Sequence, residues 1–514
     1  MTASISRRAR RPESAPTRQR LPAVVAIVAA CLALGVFGWI YLRLWGFVQD
    51  DAFISLRYAK HLAQGQGLVY NVGERVEGYT NFLWTALLAV PFLLNWGLVP
   101  FLKIASATFA LLSGYATWRL GRAALLKDEG GPHPLALLAA LLFILNPIVA
   151  ISAAEGLETM MFTFFLVLAT ALFCEESRPG ALPWSALVAA ALAMTRPDGV
   201  IFGVWLGVIA ILWRRGRRYL IAYGLIFLGL FSIYFAIRSW YYGDLLPNTF
   251  YAKRGGSVAL LERGWAQLLA FIAVDNGWIW LAGLVTLFSR RTRAVAIALS
   301  GIVALRVAFH LWSGGPWMER HRFLVPILPF LYILTIQGIA LWRAVPLRRI
   351  ALAVACVLML LPALLSYPLE ESRALGYGFA LRRAHGALGS EIDARTRPSA
   401  VLAMDDAGLA PLLADRVTID MLGLNDRHIA HLPGAFGKFD VDYVLGRRPD
   451  LIVLVASVPD PVRDEEFLIG YHARIFRSPV FGASYRFARR FDFGPGYYLL
   501  AYRRIDSSAV PADF

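Results

Sequence analysis

A chain of 514 residues that is 58% hydrophobic, with a mean hydropathy of +0.56, is too apolar for an ordinary soluble enzyme. The net charge of +16 does not indicate a nucleic-acid binder, because the basic residues sit in short clusters between apolar runs, as in cytoplasmic loops of membrane proteins. The three cysteines, Cys31, Cys174 and Cys356, lie in or beside apolar runs, which excludes a disulfide framework and a cysteine metal site.

In chain order, residues 1–21 form an Arg- and Pro-rich tail, expected to be disordered and cytoplasmic. Arg7, Arg8, Arg10, Arg11, Arg18 and Arg20 hold this end inside. The first span, 22–44, is too long for a signal-peptide core and therefore exits at Asp50–Asp51. The apolar stretch Phe82–Trp96 is expected to lie along the outer interface. Arg119, Arg122 and Lys127 then fall inside, together with the later clusters at 214–218, 290–293 and 343–349. Further spans follow near 100–122, 134–150, 157–174, 183–196, 198–213, 219–240, 275–289, 294–312, 322–343 and 349–366. The expected fold is mainly α, a polytopic membrane domain over 22–367 with about eleven transmembrane helices plus interfacial helices in the first external loop.

From Pro368 the apolar density falls. PSAVLAMDDAG, DLIVLVAS, SYRFARRFDF and GYYLLAYRRI read as strands by their β-branched and aromatic content, with helical segments such as LGYGFALRRAHGALGSEI between them. Residues 368–514 are thus expected to form an extracytoplasmic α/β domain carried by the last span.

The polar stretch from Val48 to Asn81 carries Asp50, Asp51, Glu74 and Glu77, with Arg57, Lys60 and Arg75 among them. Adjacent carboxylates where a span leaves the bilayer are costly unless they meet water, a cation or a substrate. One of them could instead cap the helix expected to start at Ala52, a contribution of about 1 kcal/mol. Asp50, just ahead of that helix, is expected to point at substrate. Asp51 is nearer the capping position, where backbone N–H groups would weaken it as a base.

The same topology puts AEGLET (154–159), TRPDG (195–199), YYGDLLPNTFYAK (241–253) and GGPWMERHRF (314–323) on the face that carries the Asp pair. There is no phosphate-binding glycine loop, no HExxH and no CxxC, and GLETM lacks the serine of a hydrolase elbow. His428 and His431 read as polar surface. No cofactor is expected; a divalent metal is compatible with the carboxylates but nothing supports one. Carboxylates and cations on one wet face suit transfer of a group from a lipid phosphate: a carboxylate takes a proton from the acceptor hydroxyl, and cations hold the phosphate. The candidate cations are Arg57, Arg75, Arg196, Lys253, Arg254, Arg320 and Arg322, each of which could alternatively be an interfacial anchor. Asp198, beside Pro197, also suits a turn.

DDAFISLRYAKHLAQGQGLVYNVGERVEGYTN resembles the first external loop of the GT-C glycosyltransferases, and more narrowly that of the family of the terminal arabinofuranosyltransferase AftB and the flagellar motor control protein ZomB. EGLET, TRPDG, YYGDLLPNTFYAK, GGPWMERHRFLVPILP and IDMLGLNDRHIA resemble that family's motifs in the same order, from about residue 48 to 430. The resemblance implies a multi-pass protein of the bacterial cell membrane that moves a sugar from a polyprenyl-phosphate donor to a cell-envelope glycan or glycolipid. It also implies Asp50 and Asp51 at the base position, with Glu77, Lys253 and Arg322 in the pocket. The alternative is a non-catalytic membrane scaffold or transporter. If a base and a phosphate clamp share one substrate, the Asp pair should lie within ~10 Å of Lys253 or Arg322.

Overall fold

A computed structural model describes residues 23–125, 134–178, 180–253, 258–274, 277–316, 321–342, 344–434 and 437–514. The basic tail, Lys127, Arg254, Arg320 and Arg343 lie outside them.

The membrane part is a bundle of helices. Five are long and apolar enough to cross a bilayer alone: α1 (Ala23–Arg43), α5 (Leu98–Ala124), α11 (Arg217–Tyr242), α15 (Arg293–Ser313) and α17 (Val345–Leu381). Between α1 and α5 lie α2 (Asp50–Ala63), α3 (Phe82–Leu87) and α4 (Val90–Leu94). The pair α6 (Pro134–Leu145) and α7 (Pro147–Ala154) could form one span bent by 53°. The bend falls at Asn146–Pro147, where proline removes a helical N–H donor and the Asn146 side chain accepts the Ile148 N–H at 3.0 Å. Shorter apolar helices follow: α8 (Thr159–Glu175), α9 (Trp184–Thr195), α10 (Gly199–Leu212) and α16 (Leu328–Ala340). α8, α9 and α10 match the expected segments, whereas α16 covers 13 residues of the stretch expected at 322–343; Pro183 and Pro197 lie just before α9 and α10, and Pro326 lies in a 3-10 turn ahead of α16. The core of the bundle is the packing of α5 on α8, with buried Ala110, Ala116, Leu120, Met160, Phe162 and Leu166 interlocked.

Phe82–Trp96 belongs with α8, α9, α10 and α16 among the shorter apolar helical segments, not with the five of span length. Its two helices have six and five residues, about 20 Å even if collinear, against a hydrocarbon core of about 30 Å. Leu93, Leu94 and Trp96 are exposed beside them, as suits the membrane boundary. The segment expected to span at 275–289 is helical but irregular, and it reaches span length and hydropathy only together with Val258–Val274. Gly277–Leu284 is 3-10 helix followed by the four-residue α14 (Val285–Phe288). The segment before it holds α12 (Asn248–Ala252) and the 17-residue α13 (Val258–Val274), neither of which was expected.

α17 is 37 residues long and passes through Pro362 and Pro368 without stopping. It therefore carries the chain rigidly from the bundle into a π-helical turn, Arg382–Gly386, and then α18 (Ala387–Arg395). The four expected strands are present: β1 (Val401–Met404), β3 (Leu451–Ala456), β4 (Tyr485–Gly494) and β5 (Tyr497–Arg504). A fifth, β2 (Val417–Asp420), is only four residues long and has too little pattern to be read. The order is β2-β1-β3-β5-β4, with β2, β1 and β3 parallel and β5 and β4 antiparallel. β3 is buried throughout, as a central strand covered on both faces must be. β1 ends at Met404, so Asp405, Asp406, Ala407 and Gly408 form the loop at its carboxyl end, ahead of α19 (Leu409–Ala414).

Candidate active site

That loop is where the sheet domain meets the bundle. The Asp50 carboxylate accepts the N–H groups of Gly408 at 3.1 Å and Leu409 at 2.8 Å. A Cβ on Gly408 would overlap the same carboxylate, so only glycine allows the approach. The Tyr70 hydroxyl donates to the Ala407 carbonyl at 2.8 Å, and Asn71 and Thr418 exchange hydrogen bonds of 2.9 and 3.1 Å. Asn248 donates to the carbonyls of Gly423, Leu424 and Asp426. The first external loop is thus clamped between the bundle and the sheet domain.

These contacts correct four expectations. Asp50 does not point at an open site, because its oxygens are taken by the sheet domain. The helix starts at Asp50 rather than Ala52, with Gln49 as its N-cap, so Asp51 is not the cap and makes no side-chain cap bond. Arg57 is no phosphate clamp. It is buried, and its donors go to the Tyr70, Pro411 and Arg416 carbonyls and to Asn71 Oδ1. Glu77 is no open pocket residue either. It is buried and ion-paired with Arg238, whose Nε donates to Oε2 at 2.7 Å, and its carbonyl accepts the Asn248 N–H at 3.0 Å. Burial pushes the Glu77 carboxyl up to about 7, against the pull of Arg238. Arg75 is exposed, with its guanidinium 4.8 Å from the Tyr241 ring centre.

Arg57→Met is expected to release the sheet domain. The backbone carbonyls left unpaired cost about 1–3 kcal/mol each, so a loss of several kcal/mol and fast proteolysis near Pro411 should follow. Unchanged thermal unfolding would refute the clamp.

Asp50 also faces a titrating cluster. His385 Nε2 lies 2.7 Å from Asp406 Oδ2, which the Tyr497 hydroxyl also approaches at 3.1 Å. Burial raises Asp50 to about 6, with His385 opposing. Burial alone would lower His385, but Asp406 holds it above its usual value. A raised carboxyl stabilises the docked state as pH falls through about 6 toward its unfolded value. A raised histidine loses its contribution as pH rises through its folded value. Both shifts make docking tighter at pH 5.5 than at 7.5. Amide exchange at Gly408 and Leu409, corrected for intrinsic rate, should slow accordingly, and Asp50→Asn should flatten the difference.

The remaining acid of the pair, Asp51, is partly exposed and has no hydrogen bond or ion pair among the described residues. It is the carboxylate that acts on Lys253, just after α12. Lys253 is exposed, yet enough protein surrounds it to desolvate its ammonium. Burial lowers its ammonium; Asp51 opposes this, while Arg322, Arg196 and Arg263 add to it.

Two acids from the helix ends set those arginines. Glu158, at the start of α8, accepts from Arg196 Nη1 at 2.8 Å and Asn81 Nδ2 at 3.0 Å, and lies 3.8 Å from Arg322 Nη2. Asp198, at the start of α10, pairs with Arg196 Nε at 2.9 Å and with Arg306 on α15. Glu158, Arg196, Asp198 and Arg322, from three of the motif segments, therefore meet Asn81 of the first loop in one charge cluster, and Asn248 of the fourth segment bonds Glu77 in that loop. Arg306 escaped the sequence reading as a site residue. Its signal was an arginine inside an apolar helix, which is rare unless it pairs. Glu158 was legible only as part of its motif. Among the described residues no three His, Cys, Asp or Glu side chains group as metal ligands; His428 instead bonds Asp440 at 2.9 Å.

This arrangement can be set beside known proteins. The chain is 29% identical over 348 residues to the terminal beta-(1->2)-arabinofuranosyltransferase of Mycobacterium tuberculosis, covering 57% of this chain and 52% of that protein. The enzyme of the same name from Corynebacterium glutamicum is 28% identical over 361 residues, with 60% and 50% covered. The chain thus spans about half the length of the curated relatives it matches. Residues 377–507 match a family described as a domain of unknown function (DUF8728). The crystal structure of ArnT from Cupriavidus metallidurans bound to undecaprenyl phosphate superposes with a TM-score of 0.61 at 16% identity, over 95% of this chain and 100% of that one. The Archaeoglobus fulgidus oligosaccharyltransferase superposes with a TM-score of 0.51 at 12% identity, over 90% and 80%.

The chain has the GT-C glycosyltransferase fold.

Within the GT-C fold, the likeness to ArnT includes the sheet domain, because it covers nearly the whole chain. Asp51 and Arg322 both act on the charge of Lys253.

Proposed function

We propose that the protein is a glycosyltransferase that moves a sugar from a polyprenyl-phosphate donor to a hydroxyl of a cell-envelope glycan or glycolipid, at the extracytoplasmic face of the membrane. The observation that carries this reading is that Arg196 and Arg322, held by Glu158 and Asp198, and Arg263 all act on the charge of Lys253, with Asp51 opposing them. Like charges held together are relieved by an anion, and a lipid phosphate supplies one. The curated relatives are arabinofuranosyltransferases, and undecaprenyl phosphate is bound to ArnT, which supports the same chemistry here.

Asp51 would take the proton of the acceptor hydroxyl as its oxygen bonds to the anomeric carbon. The bond from that carbon to the phosphate oxygen breaks, and polyprenyl phosphate leaves with its charge held by Lys253, Arg196 and Arg322. Glu158 and Asp198 position the arginines. Asp50 and Arg57 position the loop.

The test uses purified protein in vesicles with polyprenyl-phosphoryl pentoses and hexoses and an envelope glycan acceptor. Release of polyprenyl phosphate that depends on acceptor is expected for at least one donor. Folded protein that neither binds nor turns over any of them would overturn the reading in favour of a scaffold.

A further inference from the structure

A recess in the structure uses none of the residues of the charge cluster around Lys253. It is a groove of about 600 Å³, within the range of ligand sites, between the turn after α1, the start of α5, the end of α17 and the sheet domain. Trp45, Val99, Leu381, Leu409 and Leu413 make its apolar walls, and Arg382 and Arg383 both line it.

Both arginines are exposed, and neither has a carboxylate partner among the described residues. They are nevertheless held in place. Arg382 Nη1 donates to the Gly46 carbonyl, and Arg383 donates to the Asp492 carbonyl through Nε at 3.0 Å and Nη2 at 2.8 Å. Carbonyl partners orient a guanidinium without cancelling its charge, so two fixed positive charges and spare donors border an apolar groove. The π turn at 382–386 widens the helix where these adjacent residues share one recess.

The surroundings indicate the phase from which an occupant comes. Leu93, Leu94 and Trp96 beside the start of α5, and Phe379 one turn before Arg382, are exposed apolar side chains. Such a rim suits the membrane boundary, where lipid rather than a free ion reaches the groove.

We propose that this groove binds one anionic phospholipid of the surrounding membrane, with its phosphodiester on Arg382 and Arg383 and the upper part of a chain along Val99, Leu381 and Leu413. A bound lipid there would tie the last span to the sheet domain. It would also sit against Val48 and Phe53, which flank the Asp pair in α2 and the turn before it. The proposal does not depend on the transfer reaction.

The test is native mass spectrometry of the full chain taken from vesicles of equal phosphatidylglycerol and phosphatidylcholine. Retention of one phosphatidylglycerol in preference to phosphatidylcholine is expected. Arg382→Gln should weaken it about fivefold, and the double change with Arg383→Gln more. Val99→Trp fills the apolar wall without touching either arginine and should also displace the lipid, which keeps the test valid if the double variant misfolds. Equal retention of both lipids, retention unchanged in Arg382→Gln and Val99→Trp, or displacement by millimolar inorganic phosphate would overturn the proposal. So would preferential retention of added undecaprenyl phosphate, which would make the groove a carrier-lipid site.

Discussion

Asp51→Asn is expected to lower transfer by on the order of 100-fold or more while the protein folds normally and binds donor at least as tightly. Asparagine keeps the size and polarity of the side chain but cannot accept a proton. Asp51 is engaged by no hydrogen bond among the described residues, so little structure depends on its charge. Its field on Lys253 is lost, which should strengthen rather than weaken phosphate binding, because Asp51 is the carboxylate offsetting the cations there. The informative readout is therefore divergence of turnover from donor affinity. Asp50→Asn should act in the opposite way. One amide oxygen can still accept a single N–H from Gly408 or Leu409, so the loop loosens and stability falls, with turnover reduced less than in Asp51→Asn. If Asp50→Asn is the inactive variant at unchanged stability, the roles of the two acids are exchanged. If both variants are fully active, the proposed base chemistry fails.

Arg306→Leu is expected to cost about 3–5 kcal/mol and to abolish donor binding. Arg306 is buried in α15 and pairs with Asp198, while its Nε donates to the Phe323 carbonyl. Removing it leaves Asp198 underpaired at the start of α10 and loosens the chain beside Arg322. Asp198 also holds Arg196, so the disturbance should pass from α15 to Arg196 without any direct contact with substrate. Arg306→Lys should recover part of the stability, since a charge remains, but less of the binding, because an ammonium lacks the planar fork that reaches both partners. Thermal unfolding and binding of a polyprenyl phosphate, measured on both variants, separate the two effects. Wild-type donor affinity in Arg306→Leu would show that the buried network does not set the donor site.

The sequence by itself determined what depends on neighbours along the chain. Apolar runs, the basic clusters between them and the β-branched content of β1, β3, β4 and β5 are local patterns, and these four strands and most of the helices formed where they were read. So did the shortness of Phe82–Trp96. The motifs were also legible as a set, since polar segments between apolar helices are conspicuous. What only the tertiary structure decided is how their charges are shared out. Asp50 and Asp51 are adjacent and chemically identical, yet one meets N–H groups 358 and 359 residues away while the other acts on Lys253. Arg57 looked like any interfacial cation until carbonyls from Pro411 and Arg416 reached it. Glu77 and Arg238, 161 residues apart, give no hint of pairing in their own segments. Arg306 becomes part of the site only because α15 brings it to Asp198. A charged side chain's role is set by the partner that neutralises it, and for Arg57, Glu77, Glu158 and Arg306 those partners come from remote parts of the chain.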